Sequence, residues 1–208
     1  MSTPTAILST AYFPPIQFFS KLKQNSTILL EKHETYPKQT YRNRCEIYSA
    51  NGRMPLTIPI VKPKGNRTPI NEVLIDHSDP WATKHWRAIE SAYRRSAYFE
   101  LLEHEFAPLY IQQWPSLWAF NNATIAKAIE IFELNSEIIE TEMFVKFYPS
   151  NVLDFRNSIS PKLNFAKSDL EFSPKPYFQV FADKFEFIPN LSILDLIFNY
   201  GPEGREYL

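Results

Sequence analysis

Residues 5–30 read TAILSTAYFPPIQFFSKLKQNSTILL, and this stretch decides the fold. Thr5 to Ser9 is a short apolar run of strand length, and Tyr12-Phe13-Pro14-Pro15 turns the chain. Ile16, Phe19 and Leu22, with Phe18 alongside, then recur at helical spacing up to Lys23, directly after a proline suited to a helix start. Ser26 to Leu30 is a second apolar run. Strand, helix and strand in such close succession make a βαβ-like unit, for which parallel pairing is expected because the connection is a helix, not a tight turn.

Working outward, Glu46 to Ser49 and Leu56 to Ile60 flank Asn51-Gly52, a strong hairpin signal, with six residues between the two runs. Lys62, Lys64 and Arg67 belong to a basic loop, and Ile70 to Ile75 alternates as a strand. Asp79 as N-cap and Pro80 at the first helical position open a helix through Arg94, with Ala82, Trp86, Ile89 and Tyr93 on one stripe. Further helices are expected from Tyr98 to Phe106, ending before Pro108, and from Ser116 through Phe132. Glu137 to Phe147 reads as a strand. The proline-rich residues 149–176 read as loop, with a short helix around Val152 to Ser158. Tyr177 to Phe181 reads as a strand, and Leu191 to Tyr200 as a helix stopped by Gly201-Pro202. The expected class is α/β, a mixed sheet with the βαβ-like N-terminal unit and flanking helices.

The chain has 208 residues, 44% hydrophobic and 22% charged, enough to bury one core, and it reads as a single domain over residues 1–208. Residues 1–104 hold 14 Lys and Arg against 9 Asp and Glu, whereas residues 105–208 hold 8 against 14. A basic half offers a place for phosphate or carboxylate groups, and the alternative is two solvated faces. The isoelectric point near 6.4 argues against nucleic acid as a partner. The single cysteine, Cys45, excludes an intrachain disulfide and fits a reducing cytoplasm. No basic leader region precedes an apolar run at the N-terminus, and no window reaches the roughly 18 apolar residues of a membrane span.

The densest polar chemistry lies in EKHETYPKQTYRNRC, residues 31–45. Lys38, Arg42 and Arg44 on a stiff loop could clamp an anion, since arginine offers a planar fork to phosphate or carboxylate. An extended loop would turn all three the same way. Rim salt bridges to Glu31, Glu34 and Glu46 are the competing reading. His85, on the helix beginning near Asp79 and beside Lys84, is the candidate catalytic base, the competing reading being a side chain packed between aromatic residues with one nitrogen satisfied, and His33 is the other histidine placed to act; His77 and His104 read as surface residues. Cys45 is either a nucleophile activated by Arg44 or a buried small hydrophobe. No histidine spacing suits a metal, and no glycine-rich nucleotide loop or hydrolase motif is present, so no metal or cofactor is expected.

YFPPIQFFSKL at 12–22, YPKQTYRNRC at 36–45, LTIPI at 56–60, KHWRAIESAY at 84–93, YF at 98–99 and NLSILDLIFNYGPE at 190–203 together resemble the WbqC-like family nearly end to end. The resemblance implies a bacterial protein linked to surface-polysaccharide (O-antigen) gene clusters, with a suggested transfer of an aminoacyl group such as glycine. It brings no catalytic residue. Many relatives carry His-Gln-Pro just before the Tyr-x-Pro element, where this chain has Leu8, Ser9 and Thr10. The matching polar residues are Lys38, Asn43, Arg44 and His85, with Asp154 and Arg156 as further supporting candidates. These observations lead to the expectation of a cytoplasmic transferase moving an aminoacyl or acyl group onto a sugar or nucleotide-sugar acceptor, with an anionic small molecule, a nucleotide sugar or an activated acyl donor, as partner. The alternative is a noncatalytic anion- or sugar-binding scaffold.

Overall fold

The computed structural model describes residues 5–61 and 68–208. Lys62, Lys64 and Arg67 lie outside the described residues. Strand β1 (Thr5–Ser9), helix α1 (Ile16–Gln24) and strand β2 (Thr27–Glu31) form the expected unit, and β1 and β2 pair in parallel from Thr5↔Thr27 to Ser9↔Glu31. The physical cause is visible in the burial of α1, whose Ile16, Phe18, Phe19 and Leu22 are all inside.

Two later strands complete this sheet. β5 (Glu137–Glu140) joins β2, and β6 (Val152–Asp154) joins β1, both in parallel, so the spatial order is β5-β2-β1-β6. Counted along the chain within this sheet, that order is third, second, first, fourth. The direction of winding therefore reverses between β1 and β6, where an open parallel sheet leaves a crevice outside its carboxyl ends. Val152–Asp154, expected within a short helix, is a strand because its backbone completes the ladder beside β1. The strand expected to reach Phe147 stops at Glu140.

β3 (Arg44–Ser49) and β4 (Gly52–Thr57) make a separate antiparallel hairpin. Ser49 pairs directly with Gly52, so the turn is the two residues Ala50 and Asn51, tighter than the six-residue loop expected; Gly52, just after them, takes a positive φ of 91° that glycine adopts without strain. Ile70–Glu72 forms a 3-10 turn in place of a strand, and only Ile75 and Leu74 make isolated bridges, to Ile60 and Ser116.

Helices α2 (Trp81–Tyr93), α3 (Phe99–Ile111) and α4 (Leu117–Phe132) follow, then the short α5 (Phe165–Ser168) and α6 (Ala182–Phe185), and finally α7 (Ile193–Tyr200). Asp79 does not cap α2 with its side chain. Its carboxylate pairs with Lys84 instead, and Pro80 occupies the cap position. α3 runs through Pro108, because the carbonyl that loses its donor is that of exposed His104 on the solvent side. Ser116 caps α4 as expected by accepting from the Ala119 amide. Tyr177 to Phe181 is not a strand; side chains anchor it, with the Tyr177 hydroxyl donating to Asp195 at 2.6 Å.

Phe198 on α7 holds the helices together, with ring centroids 5.0 Å from Phe99, 5.2 Å from Phe106 and 5.3 Å from Tyr93. α7 ends where Gly201 adopts a φ of +55° against the ring of Tyr98, leaving no room for a Cβ. The two differently charged halves meet in ion pairs: Lys21 with Asp169, both buried, and Lys32 with Glu140.

Candidate functional site

Parallel strands bring their carboxyl ends to one edge, and the segments that leave that edge meet in a cleft of about 530 Å³. His33 and Glu34 follow β2, Phe144, Lys146 and Phe147 follow β5, and Arg156 and Asn157 follow β6. Arg42 enters from the loop before β3. The switch between β1 and β6 lies directly behind, where Ser9, Arg42 and Arg156 line a second, very small cavity.

Arg42 is buried and forks onto Glu34, with Nε donating to Oε1 at 3.0 Å and Nη2 to Oε2 at 2.8 Å. Nη2 also reaches the Ser9 hydroxyl and the Arg156 carbonyl. Its Nη1 makes no hydrogen bond among the described residues. Arg156 forks onto Asp154 through Nε and Nη2, and its Nη1 donates to Glu31 Oε2 at 3.0 Å and to the Val145 carbonyl at 2.8 Å. The guanidinium lies 5.2 Å from the ring centroids of both Phe144 and Tyr148. Glu31 is fully buried, yet its other oxygen accepts from the His33 amide and the Thr141 hydroxyl, so no lone pair is stranded. Burial works to raise the Asp154 carboxyl, but the Arg156 hydrogen bonds hold it below the usual carboxylate range.

The charge balance follows from these pairs. Arg42 pairs with Glu34 and Arg156 with Glu31 and Asp154, and Lys146 lines the cleft over the Phe147 ring, so the formal charges of these six residues sum to zero. What remains open is a free guanidinium edge on Arg42, the exposed rings of Phe144 and Phe147, and the His33 imidazole. His33 Nε2 lies 3.1 Å from the Thr141 carbonyl. A carbonyl only accepts, so Nε2 carries the proton and Nδ1 keeps its lone pair.

The residues singled out in the sequence separate. Arg42, Asp154 and Arg156 come together. Lys38 is exposed, next to cleft-lining Pro37, and has no ion pair among the described residues. Arg44 turns away to Glu46 at 3.1 Å, which also takes Arg53. Asn43 donates its side-chain amide to the Ile58 carbonyl and closes the open end of the hairpin. The loop is not extended: Gln39 has a φ of 59° and the Thr40 hydroxyl returns to the Pro37 carbonyl, which breaks the alternation between Lys38 and Arg42, and a turn and bend over residues 41–43 do the same between Arg42 and Arg44.

His85 lies elsewhere, in the aromatic core. Its Nδ1 is 3.0 Å from the Tyr12 hydroxyl, itself 2.7 Å from that of Tyr110, and Trp81 packs edge-on against the ring. Burial drives its pKa down to about 4, against a smaller opposing effect of the Thr57 backbone. Cys45 is buried, and burial pushes its thiol well above the ordinary range despite neighbouring Arg44, opposite to the shift an activated nucleophile needs.

All the cleft-lining side chains named above fall within residues 10–159, the span matched by the family model described as the WbqC-like protein family. The chain belongs to the WbqC-like protein family. A relative of this WbqC-like chain, an uncharacterised protein of Mycobacterium tuberculosis, is 25% identical over an alignment of 229 residues that covers 98% of this chain and 96% of the relative. No solved structure matches the chain. Beyond the matched span lie α5, α6 and α7, so the WbqC-like match includes the whole parallel sheet except β1. No group of His, Cys, Asp or Glu among the described residues is arranged to hold a metal ion, and no helix among them is long and apolar enough to cross a membrane.

Proposed function

We propose that this WbqC-like protein is a transferase of bacterial surface-polysaccharide (O-antigen) synthesis, which seats a sugar acceptor in the cleft and passes an acyl or aminoacyl group to it. The observation that carries the reading is the cleft itself: a charge-balanced pocket at the switch of a parallel sheet, edged by exposed Phe144 and Phe147. Charge balance favours hydroxyl and amide groups over a multiply charged anion, and exposed aromatic faces suit the apolar face of a pyranose ring. The family link supplies the polysaccharide setting.

In this reading His33 takes the base role considered for His85. Its Nδ1 accepts the proton from the attacking hydroxyl or amine as the new bond to the acyl carbon forms. Arg42 Nη1 donates to the oxyanion that develops on the carbonyl, and the bond to the donor's leaving group then breaks as that oxyanion collapses. Lys38, at the outer rim, is available to the donor, while Arg156 and Asp154 fix the wall.

In a strain whose polysaccharide depends on the protein, His33→Asn and Arg42→Lys should each abolish the added acyl group while the variants remain folded. Glycan that still carries the acyl group, unchanged from the native strain, in both variants would overturn the assignment. The same cleft would serve a noncatalytic sugar-binding protein, an alternative that the mutual occupancy of Arg156, Asp154 and Glu31 favours. Saturable sugar binding by purified protein, with no acylated product by mass spectrometry across aminoacyl and acyl donors, selects that alternative.

A further inference from the structure

A second groove, of about 510 Å³, runs along the C-terminal half of α2. Arg87 and Ser91, four residues apart, share one face of α2, and Arg94 and Arg95 follow in the turn at its C-terminal end; all four line the groove. The facing wall is apolar: Val180 and Phe181, with Ala50 from the hairpin turn. Phe181 is held in place, because its carbonyl accepts from the Tyr48 hydroxyl at 3.1 Å and its ring lies 5.7 Å from that of Tyr48.

Glu90 is the single carboxylate lining the groove, and it is engaged by Arg94 at 3.6 Å. Arg87 and Arg95 have no ion pair or hydrogen bond among the described residues. Asp183 and Glu186, on the segment beyond Phe181, do not line the groove. One part of this cluster answers the negative end of the α2 dipole, but two guanidinium forks are left over. This differs from the cleft at the sheet edge, where each arginine has its carboxylate.

We propose that this groove binds a phosphorylated small molecule, with Arg87 and Arg95 on its phosphate and its organic part against Val180 and Phe181. Two free planar forks beside a third cation match a phosphate dianion better than a single carboxylate. The concave, two-walled shape fits a discrete ligand. The proposal does not rest on the sugar cleft.

Calorimetric titration of the full chain with uridine diphosphate, inorganic pyrophosphate and uridine tests it. Uridine diphosphate should bind most tightly, pyrophosphate more weakly and uridine without measurable heat, with affinities that fall as salt is raised. Arg87→Ala/Arg95→Ala should weaken uridine diphosphate at least about tenfold while leaving the circular dichroism and melting temperature unchanged, since both side chains are exposed. Arg42→Lys should leave this binding unaltered, which separates it from the cleft. Absence of binding by both phosphates, or equal affinity in the double variant, overturns the proposal. So does binding to phosphatidylglycerol vesicles that uridine diphosphate does not displace, which would assign the arginines to a lipid surface.

Discussion

The Arg156 guanidinium meets the Glu31 carboxylate at 3.0 Å in a nearly water-free setting, with side-chain exposures of 4% and 0%. Residues 125 positions apart are thereby joined across the carboxyl edge of the sheet, one beyond β6 and the other at the end of β2. Removing one partner leaves an uncompensated buried charge. Arg156→Met should therefore lower unfolding free energy by about 3–5 kcal/mol in urea denaturation. Arg156→Met combined with Glu31→Gln should cost less than the sum of the two single changes. Additive losses would show that the pair is not coupled.

His85 and Asp195 give opposite pH dependences that can be separated. His85 titrates near 4 when folded, so the unfolded chain binds its proton first as pH drops below the ordinary histidine value, and stability falls from there toward pH 4. Burial raises Asp195 to about 6, so the folded chain takes up that proton first, and stability rises over the same descent. Each contribution is about 3 kcal/mol in size. The stability difference between the native chain and His85→Gln, measured from pH 7 to 4, should narrow with falling pH; for Asp195→Asn the corresponding curve should slope the other way. Flat differences would place both groups in contact with water.

Much of the fold was legible because it is local. Residues 5–30 fix the βαβ unit through apolar spacing alone, and α4 and α7 carry their caps in Ser116 and Ser192. β5 was legible as a strand, although expected to run on to Phe147, whereas β6 was not. β5 has four residues, all exposed, and β6 has three, so neither shows a burial pattern; both are strands because an established neighbour offers them a ladder. The site followed the same division. Arg42 and Arg156 could be singled out by type, but their meeting required β6 beside β1. Phe144 and Phe147 gave no signal, since they read as the far end of a strand that in fact stops at Glu140. His85 was attractive because it neighbours a cation, Lys84, that would favour a neutral base, but its aromatic neighbours pack it away.

Gly201 is needed for two independent reasons, its positive φ and its contact with Tyr98. Gly201→Ala should lower stability by about 1–3 kcal/mol and reduce the melting temperature accordingly. A neutral result in thermal unfolding would mean that the end of α7 can move away from α3.

Cys45 should resist chemistry. Iodoacetamide at neutral pH is expected to leave the folded chain unlabelled and to modify Cys45 only in denaturant, as read by intact mass. Rapid labelling of folded protein would restore the thiol as a candidate nucleophile.

The central claim is that the cleft at the carboxyl edge of the parallel sheet, with His33 inside it, is where ligand sits. Its most direct test is the imidazole nitrogen spectrum of uniformly labelled protein during titration with neutral and amino hexoses. The account predicts that the His33 ring nitrogens shift saturably with at least one of these sugars, that His85 stays fixed, and that Arg42→Lys weakens the response. A His33 signal unmoved by every sugar of the panel, or one that moves equally in Arg42→Lys, would contradict it.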